Sequence, residues 1–193
     1  MIILGINAYH ADSSAAIFVD GIMIAAIEEE RFRRVKHWAG FPSLAIEFCL
    51  KEAGITLNEV DHIAIGRDPW AKLGKKILFL AMNPLGGITA VKNRLSNAKK
   101  VASLEDEFVK IASIDKAAFK KKIHQVEHHR SHLASAFFAS PFDEAALLSI
   151  DGSGDFTTTM IGIGRGNRIE ILDSVDFPHS VGIFYTALTQ WLG

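Results

Sequence analysis

The segment VEHHRSHLASAF, residues 126–137, sets three histidines within five positions ahead of a run of small and apolar residues. Residues four apart share one face of a helix, so the imidazoles of His128 and His132 can converge on one ion, while His129 lies one residue off that face. A metal site needs more than two ligands, and the nearest carboxylate candidate is Asp151, where the apolar run EAALLSI meets DGSGDFTTT. Two imidazoles and a carboxylate with open positions suit Fe(II) or Zn(II). No glutamate stands between the histidines as on a metalloprotease helix, which disfavours peptide hydrolysis. The competing reading is structural, with one or two histidines capping a helix and the others solvated.

The elements that must hold these residues are legible as an α/β pattern. IILGIN is β-branched and apolar, YHADSS interrupts it, and two further apolar runs flank Asp20–Gly21, giving strand, polar loop, strand, tight turn and strand. FPSLAIEFCLKEAGI reads as an amphipathic helix with Ser43 near its start and Gly54 past its end, and VDHIAIGR as a buried strand. From about 69 to 122 lysines become dense and the periodicity is helical, which reads as a helical insertion. KKIHQVEHH returns to a short strand and SHLASAFFAS to a helix. EAALLSIDGSGDFTTTMIGIGRGNRIEILDSVDF then reads as strand, loop and two strands around a Gly-rich turn, and FYTALTQWLG as the start of a helix.

The last block repeats the layout of the first: apolar strand, small polar loop carrying an aspartate, strand, turn, strand. A loop of Asp, Gly, Ser and Thr points backbone N–H groups and hydroxyls at one spot, which suits phosphate oxygens. Ser13 in the first loop and Gly152, Ser153 and Gly154 in the second are the candidate nucleotide or substrate contacts. Simple Gly/Ser hairpin turns are the alternative. The expected division is a first subdomain over 1–143 and the beginning of a second over 144–193.

Composition narrows the function classes. Hydrophobic residues make up 49%, aromatics 9% and the formal net charge is -1, which describes a globular chain with a sizeable core and gives no reason to expect nucleic acid as partner. The single cysteine, Cys49, sits at helical spacing among apolar residues and is expected to pack as a small hydrophobe, with no disulfide inside the chain. MIILGINAYHAD turns polar too soon for a secretory signal, and ILFLAMNPLGGITAV is broken by Pro84, Gly86 and Gly87 short of a bilayer span, reading instead as a helix, a turn and a second helix. A soluble cytoplasmic protein with no membrane partner is the expectation.

GINAYHADSSAAI, EEERFRRVKH, VEHHRSHLASAF and SIDGSGDFTTT, in that order, resemble the N-terminal part of the O-carbamoyltransferases that act on nodulation factors and on cephem and aminoglycoside antibiotics. The match covers almost the whole chain and is weakest in the helical insertion. The resemblance implies the actin-like ATPase fold, a duplicated ribonuclease H-like sheet with its second subdomain only partial here, related to the tRNA threonylcarbamoyl-transferring proteins. It implies that the His-x-x-x-His metal motif falls on His128 and His132 and the following aspartate on Asp151. The ion, typically iron, holds the phosphates of a carbamoyl adenylate. The implied substrates are carbamoyl phosphate, ATP and a small-molecule hydroxyl acceptor, and the implied partner is the adenylate-forming C-terminal part of a complete member, without which activity is not expected.

Transfer to an alcohol requires a base and stabilisation of the departing phosphate. His10 and Asp12 are the catalytic candidates, His10 as the base. A charge run such as EEERFRRVKH is usually a solvated face, but the resemblance places this basic segment at the cleft, which implies Lys36 and His37 as carbamoyl-phosphate or acceptor contacts, with Arg67 after HIAIG as a further one. Two other classes remain open from sequence: a kinase or ATPase of the same fold, and a metal- or nucleotide-binding module without chemistry.

Overall fold

Residues 1–83, 104–111 and 119–193 are described by the structure, a computed structural model. The fold is mixed α/β, and its contacts divide it into two compact units, Met1–Gly66 with Asn83–Gln125 and Arg67–Met82 with Val126–Gly193.

In the first unit IILGIN forms β1 (Ile2–Asn7), SAAIFV forms β2 (Ser14–Val19) and IMIAAIE forms β3 (Ile22–Glu28). Asp20 and Gly21 join the last two with φ of 51° and 84°, the left-handed pair that a type I′ hairpin requires. β4 (His62–Ile65) and β5 (Ile123–Gln125) extend the sheet in parallel beyond β1, giving the order β3-β2-β1-β4-β5. Strand alternation sends Leu4, Ile6, Ile17, Ile63 and Ile65 into the core, where they meet Ile46 and Cys49. Each such side chain contributes about 1.5–3 kcal/mol on burial. Phe108, fully buried, meets Phe41 edge-on at 5.1 Å and Phe119 at 4.9 Å.

The short helix α1 (Glu30–Arg33) leads to α2 (Ser43–Ala53), which packs on β2 and β3 and ends at Gly54 with φ 66°. No side chain of its own N-cap, Pro42, serves the first amides of α2. The fully buried Glu29 carboxylate accepts from Ala45 N at 2.8 Å and Leu44 N at 3.3 Å, and also from Arg33 Nε at 2.7 Å. A carboxylate at the positive end of a helix, paired with a guanidinium, satisfies donors that would otherwise be orphaned. The EEER run is therefore only partly a solvated face.

The second unit carries an antiparallel sheet of β6 (Glu144–Gly154), β7 (Thr157–Arg165) and β8 (Arg168–Asp176). Three helices belong to it: α3 (Leu73–Met82), α5 (His128–Phe138) and α6 (Val181–Leu192), whereas α4 (Leu104–Ile111) belongs to the first unit. Leu133 and Phe137 of α5 pack on Leu147 of β6 and Met160 of β7. That packing sets residues 126–143 with the second unit, where the sequence division ran through 143.

Two expectations change in detail. The DGSG stretch, read as a loop, continues β6: pairing runs from Ile150↔Thr159 to Gly154↔Thr157 with a register shift between, so 151–153 form a bulge. The turn proper is Asp155–Phe156, both left-handed at φ 50° and 81°. The proposed insertion over 69–122 contributes α3 to one unit and α4 to the other, and its segments 84–103 and 112–118, including all of PLGGITAV in ILFLAMNPLGGITAV and so the expected turn and second helix, lie outside the described residues. Among the described residues, no helix is long and apolar enough to cross a membrane.

Candidate functional site

His128 opens α5 and His132 follows one turn later, so the helix itself sets the two imidazoles side by side. His128 Nε2 lies 3.0 Å from His132 Nε2 and 3.0 Å from Asp151 Oδ2, and His132 Nε2 lies 3.7 Å from the same oxygen. Among the described residues this is the one group of three ligating side chains close enough to share an ion. Ligands bound at roughly 2.1 Å are separated by about 3.0–3.4 Å in octahedral and tetrahedral sites, so the triangle's two 3.0 Å separations fit a common centre and its 3.7 Å one is slightly wide. Its proton inventory points the same way, because His128 Nε2 has one position, a proton or a lone pair, for two neighbours. A cation in place of that proton satisfies all three atoms.

Burial and local charge shift two of the three side chains. Desolvation, and then the neighbouring His128, lower the His132 pKa below its ordinary value. Burial alone would raise Asp151, but the Gly152 N–H at 2.6 Å and the His128 imidazole outweigh it and hold the carboxyl below its usual range.

Two neighbours hold the cluster in place. A Cβ at Gly154 would stand 1.9 Å from His128 Cδ2, so this glycine is the space that the imidazole occupies. Asp155 Oδ2 accepts from the backbone of His128 at 3.0 Å and of Asp68 at 2.7 Å, tying the start of α5 to the turn after β6. Burial raises the Asp155 pKa against those two bonds and the charges of Lys76 and Arg67. His129, as its position off the shared face implies, is core: Nε2 donates to Thr157 O at 3.0 Å, and Nδ1 accepts from Ser149 Oγ at 2.8 Å. Burial lowers its pKa, which keeps it neutral.

In the first unit, two loops are clasped together. Tyr9 N donates to Gly40 O and Ser13 N to Trp38 O, both at 3.0 Å, and Asn7 Nδ2 donates to the carbonyls of Ala11 and Asp12. Ser13 is fully buried and its hydroxyl serves Gly40 O and His10 O, so this side chain holds the loop and is not on offer to a phosphate. Gly154 is likewise taken up by His128, whereas Ser153 is exposed and Gly152 half-buried. Lys36 is exposed and Arg67 half-buried. His10 is exposed, with Nδ1 3.4 Å from Ala11 O. The Asp12 carboxylate pairs with His37, Oδ1 to Nδ1 at 2.9 Å. Asp155, Gly154 as spacer and the Asp12–His37 pair escape sequence reasoning, since each depends on contacts between segments 25 or more residues apart.

Residues 2–193 match the family model described as carbamoyltransferase N-terminus. The chain belongs to that family. An uncharacterized protein of Synechocystis is 42% identical over 99% of this carbamoyltransferase N-terminal domain and 32% of its own length. Nodulation protein NolNO of Sinorhizobium fredii is 30% identical over 97% of the chain and 26% of its own length. The chain thus spans about a third or less of the curated relatives it matches. Among solved structures, YeaZ from Pseudomonas aeruginosa is similar with 15% identity and a TM-score of 0.45, over 92% of this chain and 68% of that one.

Proposed function

We propose that this carbamoyltransferase N-terminal domain carries the transfer half of an O-carbamoyltransferase, in which a carbamoyl group from carbamoyl phosphate passes through a carbamoyl adenylate made with ATP to a hydroxyl of a small-molecule acceptor. The observation that carries the reading is the His128–His132–Asp151 triangle. Those three side chains would hold a divalent ion, Fe(II) or Zn(II), which offsets the negative charge of nucleotide phosphates when bound. Exposed Ser153 with the Gly152 amide, and Lys36 and Arg67, are the proposed phosphate and carbamoyl contacts. The antiparallel triplets β1–β2–β3 and β6–β7–β8 support a duplicated ribonuclease H-like, actin-like fold with a partial second copy. The proposed setting is the cytoplasm, in keeping with a lone buried cysteine, Cys49, whose thiol burial pushes up to about 11.

Elemental analysis of the purified chain beside its His132→Ala variant, both with ATP, tests the reading. Near-stoichiometric iron or zinc in the parent and little in the variant is the expected result; equal trace metal in both argues for a structural cluster. The ligands bind as neutral imidazoles, so protons compete with the ion only below the ordinary histidine pKa of about 6.5. Occupancy is expected to hold at pH 7 and to fall on acidification, and the lowered His132 pKa keeps that imidazole neutral to lower pH.

A further inference from the structure

His62 and His124 both belong to the first unit. His62 opens β4 and His124 is the middle residue of β5, and the two strands run parallel with Ile63 opposite Ile123 and Ala64 opposite His124. Side chains alternate across a sheet, so burying Ile63 and Ile65 in the core turns His62 and Ala64 to the other face, where His124 is the diagonal neighbour of His62. Both histidines are exposed, yet their rings meet: His62 Nδ1 lies 3.0 Å from His124 Nε2, with the ring centroids 5.0 Å apart. Backbone pairing fixes the two Cα positions, so the imidazoles are presented side by side on paired strands and not on a loop.

One N–H donor between two neutral imidazoles satisfies this contact, and so does one cation between two lone pairs. The cation has a definite geometry. An ion bound at roughly 2.1 Å to nitrogens 3.0 Å apart subtends an angle of about 90°. That is the cis angle of square-planar and octahedral sites and is narrower than the tetrahedral one. We propose that His62 and His124 form a cis bis-imidazole chelate for a divalent transition metal of that geometry, Ni(II) or Cu(II). Capture by one ring leaves the second already within reach, which raises the affinity of the pair above that of a lone surface histidine. Among the described residues no third His, Cys, Asp or Glu joins them closely enough to share the ion, so water fills its remaining positions. The nearest ammonium in sequence, that of Lys122, is committed to the carbonyls of Asn58 at 2.9 Å and Val60 at 2.7 Å. The site lies in a different unit from the His128–His132–Asp151 triangle and does not depend on it.

Calorimetric titration with Ni(II) alone tests the chelate, in the 193-residue chain and in its His62→Gln, His124→Gln and doubly substituted variants. Glutamine keeps a hydrogen-bonding group without an imidazole nitrogen, and both positions are exposed, so the far-UV spectrum should not change. Each single variant is expected to bind about one equivalent less than the parent, and the double variant to lose no more than either single one. His132→Ala, which disables the triangle, should leave that equivalent in place. Parent-like stoichiometry in both single variants overturns the proposal and makes the contact an N–H···N hydrogen bond. Loss on only one of the two substitutions overturns it too, because a lone surface histidine then binds the ion. Should a variant unfold, trace Cu(II) added to the parent labelled with 15N-histidine decides instead: the His62 and His124 signals broaden together, or there is no chelate.

Discussion

Gly154 controls the His128–His132–Asp151 triangle, proposed to bind metal, without being one of its corners. Its missing side chain is the volume that His128 fills, so Gly154→Ala must move the imidazole or the strand. The expected outcome is a 10- to 100-fold weaker affinity for Zn(II) or Co(II) by titration, the usual penalty for disturbing a ligand's support, with the far-UV spectrum unchanged. The three histidines are expected to separate by role. The double substitution His128→Ala and His132→Ala should abolish metal binding while leaving the fold, because neither ring belongs to the core. His129→Ala should cost about 3 kcal/mol by chemical denaturation, since it opens a hole and strands Thr157 O and Ser149. A His129→Ala chain as stable as the parent would refute that division. Periodicity alone separated His129 from its neighbours, because a helix fixes which positions share a face. What His129 bonds to was beyond it, since Ser149 and Thr157 reach it only through the folded sheet.

At the scale of elements, two acidic residues fasten helices to strands. Glu29 ties β3 to the start of α2, and Glu29→Ala, which leaves Arg33 and two amides without their partner, should cost about 3 kcal/mol in a urea titration. Asp176 at the end of β8 binds Lys72 and, at 2.5 Å, Lys75 beside and within α3. Burial would raise its pKa, but the two ammonium groups prevail and lower it. A carboxyl depressed in the folded state stabilises above its unfolded pKa of about 3.9, and that contribution fades as pH falls through the lower folded value. The stability gap between parent and Asp176→Asn should therefore be constant above pH 5 and shrink below pH 4; a gap independent of pH would refute the pairing. The hairpin at Asp20–Gly21 was legible because the turn demands those residue types. DGSGD was not, because glycine and serine mark loops by propensity, while pairing with β7 draws them into a bulged strand. The role of Glu29 was not legible either, as composition does not reveal which of three glutamates faces a helix end.

Across the molecule, both units leave apolar residues uncovered. The first has a continuous core but exposes Ile22, Met23 and Ile24 of β3, and in the second α6 exposes Phe184, Tyr185, Trp191 and Leu192, and the sheet exposes Leu148 and Leu172. Patches of this kind bind hydrophobic dyes. Phe184→Ser with Trp191→Ser should reduce dye fluorescence with no loss of secondary structure, and unchanged fluorescence would place the patch elsewhere. The duplicated strand triplet was readable from sequence, but the assignment of α5 was not, because a helix between two sheets gives no sign of which one its apolar side will meet. One consequence reaches from a single carboxylate to the whole protein's behaviour in a mixture of ions. Since the Gly152 amide occupies Asp151 Oδ1, only Oδ2 faces the imidazoles, and the site presents two nitrogens and one monodentate oxygen. Calcium, which needs six to eight oxygens, and magnesium, which prefers water and phosphate, are poorly served by that set, so abundant hard cations should not compete for it.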